Sequence, residues 1–292
     1  MTEMTGRIIK GVGGLYTVVT EDGTFYKGKA RGILRKEGKK PYIGDFALIT
    51  SPEEGECIIE DILERKNSLI RPRVANIDCA LIVFAAAEPV LSLELLDRFL
   101  IFAESRNIPD IHIVINKCDI GDVSVIDRVY KIYESIYRVH CVSAESGNGI
   151  QELKNELKDR VTVLAGPSGV GKSTIVNAVT EGRRMETGEV SRKIKRGRHT
   201  TRHVELLEVS PNTYIVDSPG FTSLDPSLLE CENPAELFRE FKPYLEGCRF
   251  RDCRHLEEPD CRLKEQVGVN ISPERYNRYK RIMKEIKDGV KL

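Results

Sequence analysis

The chain has 292 residues, enough for two or three domains, and its 40% hydrophobic and 31% charged content is ordinary for a globular protein. Its formal net charge is zero, which excludes a global electrostatic field for nucleic acid, so any basic surface must be local. The longest apolar run covers residues 79–87 and is too short to span a bilayer.

The N-terminus lacks the apolar core of a secretory signal peptide, so we expect a cytoplasmic protein. In that compartment the eight cysteines favour metal binding or reduced thiols over disulfides.

Residues 1–66 have an all-β pattern in which turn signals separate short runs. The predicted strands are Arg7–Lys10, Leu15–Thr20, Thr24–Lys29, Phe46–Ser51 and Glu56–Ile62. Five short strands suit a small closed barrel, since closure removes exposed edges. One side is basic, with Lys27, Lys29, Arg31, Arg35, Lys36, Lys39 and Lys40. This feature alone favours a solvated surface, and the alternative is an oligonucleotide-binding barrel.

Residues 66–76 are predicted to be a linker, after which strands alternate with helices. The strands are Cys79–Ala85, Ile111–Ile115, Val139–Ser143, Val161–Ala165, Val204–Val209 and Thr213–Val216. The helices are Leu93–Ser105, Val123–Tyr137, Ile150–Leu157 and Lys172–Val179. This alternation predicts a doubly wound α/β sheet.

A phosphate-binding loop, G-x-x-x-x-G-K-S, lies between the strand at residues 161–165 and the following helix. Its glycines let backbone N–H groups approach phosphate oxygens. We expect Lys172 to reach the β- and γ-phosphates as a catalytic residue, and Ser173 to ligate Mg²⁺. The alternative is a simple glycine-rich turn. The predicted nucleotide-binding residues of this stretch are Gly166, Pro167, Ser168, Gly169, Val170, Gly171, Lys172, Ser173 and Thr174.

Two further motifs indicate guanine. Asn116-Lys117-Cys118-Asp119 ends one strand, where ligands bind in such sheets, and Ser143-Ala144-Glu145 ends the next. The two acceptor oxygens of Asp119 match the N1–H and N2–H₂ donors of guanine and would meet a lone pair of adenine. We expect Lys117 to cover the base, Asn116 to tie its loop to the phosphate loop, and the Ala144 N–H to bind guanine O6.

Asp217-Ser218-Pro219-Gly220 ends another strand, so Asp217 is expected to hold Mg²⁺ through water and the Gly220 N–H to meet the γ-phosphate. The preceding basic run, residues 193–204, offers Thr200 or Thr201 as a second hydroxyl on Mg²⁺. The guanine motifs precede the phosphate loop, which is a circular permutation of the usual GTPase order. Such permutation is tolerated because domain termini often lie close together.

Near the C-terminus, Cys248, Cys253, His255 and Cys261 supply three thiolates and one imidazole. This set predicts a closed, structural tetrahedral Zn²⁺ site, and the polar surroundings argue against three buried cysteines beside a surface histidine. The simplest interpretation of Cys57, Cys79, Cys118 and Cys141 is as core residues. Cys231 receives no assignment.

Helices are also predicted over 236–244 and 273–287. The latter has interleaved tyrosines and six basic residues, namely Arg275, Arg278, Lys280, Arg281, Lys284 and Lys287. Both a solvated helix and a contact with an RNA backbone explain this pattern.

Together the permuted motif order, the N-terminal barrel and Cys-x₄-Cys-x-His-x₅-Cys resemble the bacterial RsgA family, also called YjeQ or YloQ, over essentially the whole chain. The resemblance implies an oligonucleotide-binding-fold barrel (residues 1–66), a circularly permuted GTPase domain (67–223) and a mainly α zinc domain (224–292). It further implies a GTPase that acts on late 30S ribosomal particles, contacts 16S rRNA and is stimulated by the 30S subunit. Nothing in the sequence demands a dimer, so we expect a monomer.

Phe221 stands where many GTPases have the glutamine that orients the attacking water. The resemblance points instead to His199 as the catalytic residue, and mere contact of this histidine with RNA or solvent is the alternative. Two other functions are alternatives to this one. One is an RNA-binding module switched by GTP, with incidental hydrolysis, and the other is a zinc-dependent hydrolase, which a closed four-ligand site disfavours.

Overall fold

The computed structural model describes residues 3–70, 72–181, 204–217, 231 and 233–287. The chain forms two compact units. The first comprises residues 1–80, 150–164 and 173–221, and the second comprises residues 81–149, 165–172 and 222–292. The three domain bounds expected from the sequence stay a prediction.

The elements of the described residues follow in chain order. The strands are β1 (Glu3–Val12), β2 (Leu15–Thr20), β3 (Phe25–Ala30), β4 (Phe46–Thr50), β5 (Glu56–Ile62), β6 (Ser68–Leu69), β7 (Val74–Ala75), β8 (Cys79–Ala85), β9 (Asp110–Asn116), β10 (Arg138–Cys141), β11 (Val161–Ala165), β12 (Glu205–Ser210) and β13 (Thr213–Asp217). The α-helices are α1 (Gly32–Lys36), α2 (Leu93–Ser105), α3 (Val123–Tyr133), α4 (Ile150–Glu156), α5 (Lys172–Val179), α6 (Arg262–Glu265) and α7 (Pro273–Lys287).

The first five strands of the first unit form the predicted barrel. Their order is β1-β2-β3-β5-β4, and the additional pairing of β1 with β4 closes the sheet on itself. Alternate side chains point inward and are fully buried, as period-two alternation requires. These residues are Ile8, Val18, Ala47, Ile49 and Ile59. Because the barrel closes, each of these five strands pairs with a neighbour on both sides.

Strand β1 also pairs with a strand outside the barrel. Its C-terminal end lies antiparallel to β12, with Lys10 opposite Glu205. The ammonium of Lys10 lies 2.5 Å from a carboxylate oxygen of Glu205. The guanidinium of Arg7 lies over the rings of Phe46 in β4 and Tyr214 in β13. Strands β12 and β13 form an antiparallel hairpin, and β13 runs parallel to β11. The barrel is therefore continuous with the β12–β13 hairpin and, through it, with β11.

In the second unit, β8 lies beside β9, which pairs in parallel with β10. Every residue of β8 is buried, as expected for a strand covered on both faces. Helix α2 has the predicted bounds because Ser92 caps its N-terminus by accepting a hydrogen bond from the Leu95 N–H. Helix α3 ends at Tyr133, four residues before the predicted end at Tyr137.

The C-terminal part of this unit is mainly helical, as predicted. The helix expected over 236–244 is instead two 3₁₀ helices, Pro234–Leu237 and Arg239–Tyr244. Phe238 and Phe241 stack at 4.7 Å between centroids, and Tyr279 of α7 meets both rings edge-on. In the parts of the chain that the structure describes, every helix is too short or too polar to cross a membrane.

Two arginines of α7 are buried, so neither explanation offered for its basic residues, solvation or RNA contact, is right for them. Arg275 and Asp97 of α2 are both 0% exposed, and the guanidinium donates to the Asp97 carboxylate at 2.5 Å. Arg278 and Tyr133 donate to the same carboxylate. Burial alone would lower the pKa of Arg275, but Asp97 and Glu240 outweigh it and raise that pKa well above its usual value. This cluster, Asp97 with its three donors, fixes α7 against α2 and α3.

Candidate functional site

The phosphate loop follows the buried strand β11 and leads into α5. Ser168 and Gly169 are exposed, while Val170 is buried and anchors the loop. The ammonium of Lys172 donates to the carbonyls of Gly166 and Pro167, at 2.9 and 2.6 Å. The pKa of Lys172 is lowered because burial partly desolvates its ammonium. Ser173 and Thr174 are exposed at the start of α5.

Gly166 is required by both space and conformation. Its φ is +142°, and an added Cβ would lie 2.0 Å from the carbonyl oxygen of Val83 in β8. Only a residue without a side chain lets the loop pass this close to the neighbouring backbone.

Asn116 joins the three nucleotide motifs. Its Nδ2 donates to the Val170 carbonyl in the phosphate loop at 2.9 Å, and its Oδ1 accepts from the Ala144 N–H at 3.0 Å. The side chain is buried, so neither bond is exposed to competing water. The contact with the phosphate loop is the one expected from the sequence.

Lys117 makes a second link to the phosphate loop. Its φ is +62°, which turns the chain sharply, and its ammonium donates to the carbonyls of Glu88 and Gly169, at 2.6 and 2.8 Å. The bond to Glu88 is not evident from the sequence, because no local pattern marks a carbonyl as an acceptor. Asp119, two residues on, is exposed, so its carboxylate is accessible to a base.

The Ser143-Ala144 motif follows β10 and is buried. Ser143 organises its turn by accepting a hydrogen bond from the Ser146 N–H. The Ala144 N–H donates to the Asn116 side chain. The predicted hydrogen bond to guanine O6 therefore requires this N–H to be shared between Asn116 and the base.

Four predicted site residues lie outside the described residues, namely His199, Thr200, Thr201 and Gly220. Asp217 ends β13, as predicted, but its side chain is not among those described. The assignment of Mg²⁺ ligands therefore rests on the sequence.

One cysteine pair differs from expectation. Cys118 of the N-K-C-D loop and Cys141 at the end of β10 form a disulfide, so the interpretation of both as core thiols is wrong. Each residue is half-buried, and their motifs meet because β9 and β10 are parallel neighbours. Cys57 and Cys79 are buried, as expected for core residues.

The four predicted metal ligands converge. The ligand atoms of Cys248, Cys253, His255 and Cys261 lie within 4.8 Å of one another. His255 Nδ1 is 3.6 Å from the Cys248 sulfur and 3.4 Å from the Cys261 sulfur, and the two sulfurs are 3.9 Å apart. A tetrahedral ion with bonds of about 2.0–2.3 Å places such atoms about 3.5–3.8 Å apart, so the residues fit a closed metal site.

Helix α7 positions this cluster from outside. The Tyr276 hydroxyl donates to the His255 carbonyl at 2.8 Å, and the Tyr279 hydroxyl donates to the Arg254 carbonyl at 2.6 Å. Burial and the neighbouring thiols raise the pKa of Cys253 to about 12, so a cation must displace protons in order to bind.

A phosphate loop tied through one asparagine to N-K-x-D and S-A motifs on parallel strands defines a phosphate-loop protein of the GTPase class. The comparisons with known proteins agree. The profile described as RsgA GTPase matches residues 62–227, and that of the RsgA N-terminal domain matches residues 5–59. The chain belongs to the RsgA GTPase family and is a circularly permuted GTP hydrolase.

The relatives extend over the full chain. A protein of Agathobacter rectalis named small ribosomal subunit biogenesis GTPase RsgA is 44% identical, covering 99% of this chain and 100% of its own. One of the same name from Caldanaerobacter subterraneus is 41% identical, with 100% and 98% covered. YjeQ from Thermotoga maritima has a TM-score of 0.84 at 34% identity, with 97% and 98% covered. YloQ, titled a circularly permuted GTPase, has a TM-score of 0.82 at 32% identity, with 98% and 96% covered.

Proposed function

We propose that this chain hydrolyses GTP while it assists the late maturation of the small ribosomal subunit in the cytoplasm, acting as a monomer that contacts 16S rRNA. The observation that carries the nucleotide assignment is the pair of Asn116 hydrogen bonds, which brings the guanine motifs and the phosphate loop together. The ribosomal assignment draws on the names of the full-length relatives.

Base recognition is assigned to the loops after β9 and β10. The exposed carboxylate of Asp119 accepts from N1–H and N2–H₂ of guanine, and the stem of Lys117 lies over the base while its ammonium holds the Gly169 carbonyl. Adenine presents an acceptor to the same carboxylate and is rejected. These loops select the nucleotide and do no chemistry.

Phosphate binding is assigned to the N–H groups of residues 166–174 and to Lys172. Once a triphosphate is bound, the ammonium of Lys172 exchanges its carbonyl partners for β- and γ-oxygens and stabilises the charge that develops on them. Mg²⁺ would be held by Ser173, by Thr200 or Thr201, and by Asp217 through water, and it would further neutralise the phosphate charge when bound with GTP. The Gly220 N–H meets the γ-phosphate.

His199 is assigned to the attacking water, because Phe221 has no polar group with which to orient it. We expect His199→Ala to lower the 30S-stimulated kcat by about 10²–10⁴-fold with little change in GTP affinity. The matched control is His203→Ala, four residues further along the same basic run. An unchanged stimulated kcat for His199→Ala rejects the catalytic role.

The barrel supplies an RNA-binding face. All seven basic residues of the segment from Lys27 to Lys40 are exposed, although Arg31 pairs with Glu60 and Lys39 with Asp61. The others are available to phosphates of 16S rRNA, and such contacts weaken as salt rises. The metal cluster is assigned to one structural Zn²⁺, because three thiolates and one imidazole leave no ligand position open.

Steady-state hydrolysis with and without 30S subunits tests the proposal. We expect 30S subunits to stimulate GTP turnover strongly, and we expect no comparable turnover when ATP is the substrate. GTP-dependent binding to the subunit without stimulated turnover would support instead an RNA-binding module whose nucleotide site only switches affinity. Equal binding of ATP and GTP would reject the assignment of the base-reading loops.

A further inference from the structure

The disulfide between Cys118 and Cys141 joins the two segments to which guanine recognition is assigned. Cys118 stands between Lys117 and Asp119, and Cys141 precedes Ser143 by two residues. The paired cysteines are 23 residues apart in sequence, with Cα atoms 6.2 Å apart. Three of the other six cysteines belong to the metal cluster.

The covalent link runs parallel to hydrogen bonds between the same segments. The Cys118 N–H donates to the Val142 carbonyl at 3.2 Å, and the Ala144 N–H donates to Asn116 at 3.0 Å. These bonds coexist with the disulfide, so oxidation is compatible with the assembled site. Both cysteines are half-buried rather than sealed in the core.

We propose that Cys118 and Cys141 are a reversible oxidation site that sets the rate of guanine-nucleotide release. The inference rests on the proposed assignment of Asp119 and Ala144 to the base. A disulfide inside a reducing compartment is more often transient or redox-sensing than structural, and this one is placed where its formation changes a binding site.

Hydrogen peroxide is the oxidant of the proposed step. One thiolate attacks the peroxide, the O–O bond breaks, and a sulfenic acid and one water form. The second thiol attacks that sulfur, the S–S bond forms, and the second water leaves. Two thiols and one peroxide thus give one disulfide and two waters. A dithiol reverses the reaction by exchange and is itself oxidised to a disulfide.

The disulfide restricts relative motion of the two loops to which base recognition is assigned. In the reduced protein the hydrogen bonds between them remain and the covalent link is absent. Restricting a loop in its bound arrangement removes part of the ordering entropy, so we expect oxidation to slow nucleotide release by about three- to tenfold.

The test measures release of fluorescent N-methylanthraniloyl-GDP from the full chain, chased with unlabelled GDP. One sample is reduced with dithiothreitol, and the other is treated with hydrogen peroxide that is then removed. The linked peptides are identified by mass spectrometry without reduction. We expect slower release from the oxidised sample and a peptide pair that contains Cys118 and Cys141.

Cys118→Ser and Cys141→Ser should release at the reduced rate in both samples, and Cys231→Ser, a half-buried cysteine outside both motifs, should keep the redox response. Both serine variants retain the metal-cluster thiols, so a response that persists in them overturns the inference. Equal or faster release after oxidation, or no linked peptide, also overturns it. The proposed function survives these outcomes if the reduced protein still prefers GTP to ATP. Absence of guanine-nucleotide binding in the reduced protein overturns both.

Discussion

Replacing Asp97 with alanine removes the carboxylate that receives hydrogen bonds from Arg275, Arg278 and Tyr133. Arg275 is 0% exposed, so its guanidinium keeps its charge out of water with Glu240 as its remaining acidic partner. Removing one member of a buried ion pair is destabilising by about 3–5 kcal/mol, because the desolvated partner is left uncompensated. We expect Asp97→Ala to lose stability in this range.

Native-state hydrogen exchange of the α7 amides reports this loss locally. A change of about 3 kcal/mol corresponds to exchange about 100-fold faster. The matched control is Arg128→Ala. Arg128 also pairs with an acidic residue of α7, Glu274, at 2.7 Å, but these two side chains are 61% and 45% exposed. Such exposed pairs contribute about 1 kcal/mol or less, so α7 should exchange nearly as in the unmodified chain.

The isosteric variant Asp97→Asn separates charge from packing, since it fills the same space and still accepts a hydrogen bond from Tyr133. We expect it to lose most of the stability that Asp97→Ala loses. If Asp97→Ala exchanges like Arg128→Ala, the buried cluster does not hold α7, and the reasoning from burial is refuted.

Three further predictions concern the nucleotide and metal sites. Asp119→Ala should weaken GTP binding by at least about 100-fold, because two hydrogen bonds to a charged acceptor are lost. Calorimetry should show unchanged ATP binding, and the control is Asp127→Ala, which replaces another exposed aspartate. Gly166→Ala should abolish nucleotide binding, because its Cβ meets a backbone carbonyl at 2.0 Å. Gly32→Ala, with nothing within 4 Å and no positive φ, should bind normally, and equal affinities of the two variants would contradict this reasoning. Cys248→Ser should hold less than one metal ion per chain by elemental analysis and unfold at a lower temperature, and full metal content would show that Cys248 is not a ligand.

Features that depend on neighbours in sequence were predictable. The barrel strands alternate with period two, the bounds of α2 follow from its apolar face, and the four metal ligands lie within fourteen residues. The hydrogen bond from Asn116 to the phosphate loop was predictable from the motifs, because the N-K-C-D motif and the phosphate loop each follow a strand of the predicted parallel sheet.

Long-range pairings were not predictable. Arg275 meets Asp97 across 178 residues, and a basic helix with interleaved tyrosines gives the same pattern whether its arginines are solvated or buried. The disulfide could not be predicted, because a cysteine within a strand pattern gives the same signal as any small core residue. Register between β9 and β10, which only the fold specifies, brings Cys118 and Cys141 together.

The pairing of β1 with β12 connects one strand of the barrel directly to the strands that border the proposed catalytic stretches. Glu205, opposite Lys10, directly follows the basic run that carries His199, and the hairpin partner of β12 ends at Asp217. If the barrel binds RNA as proposed, a force on β1 is transmitted through this pairing to β12 and β13. No intermediate domain is needed between the barrel and the two stretches to which water and Mg²⁺ are assigned.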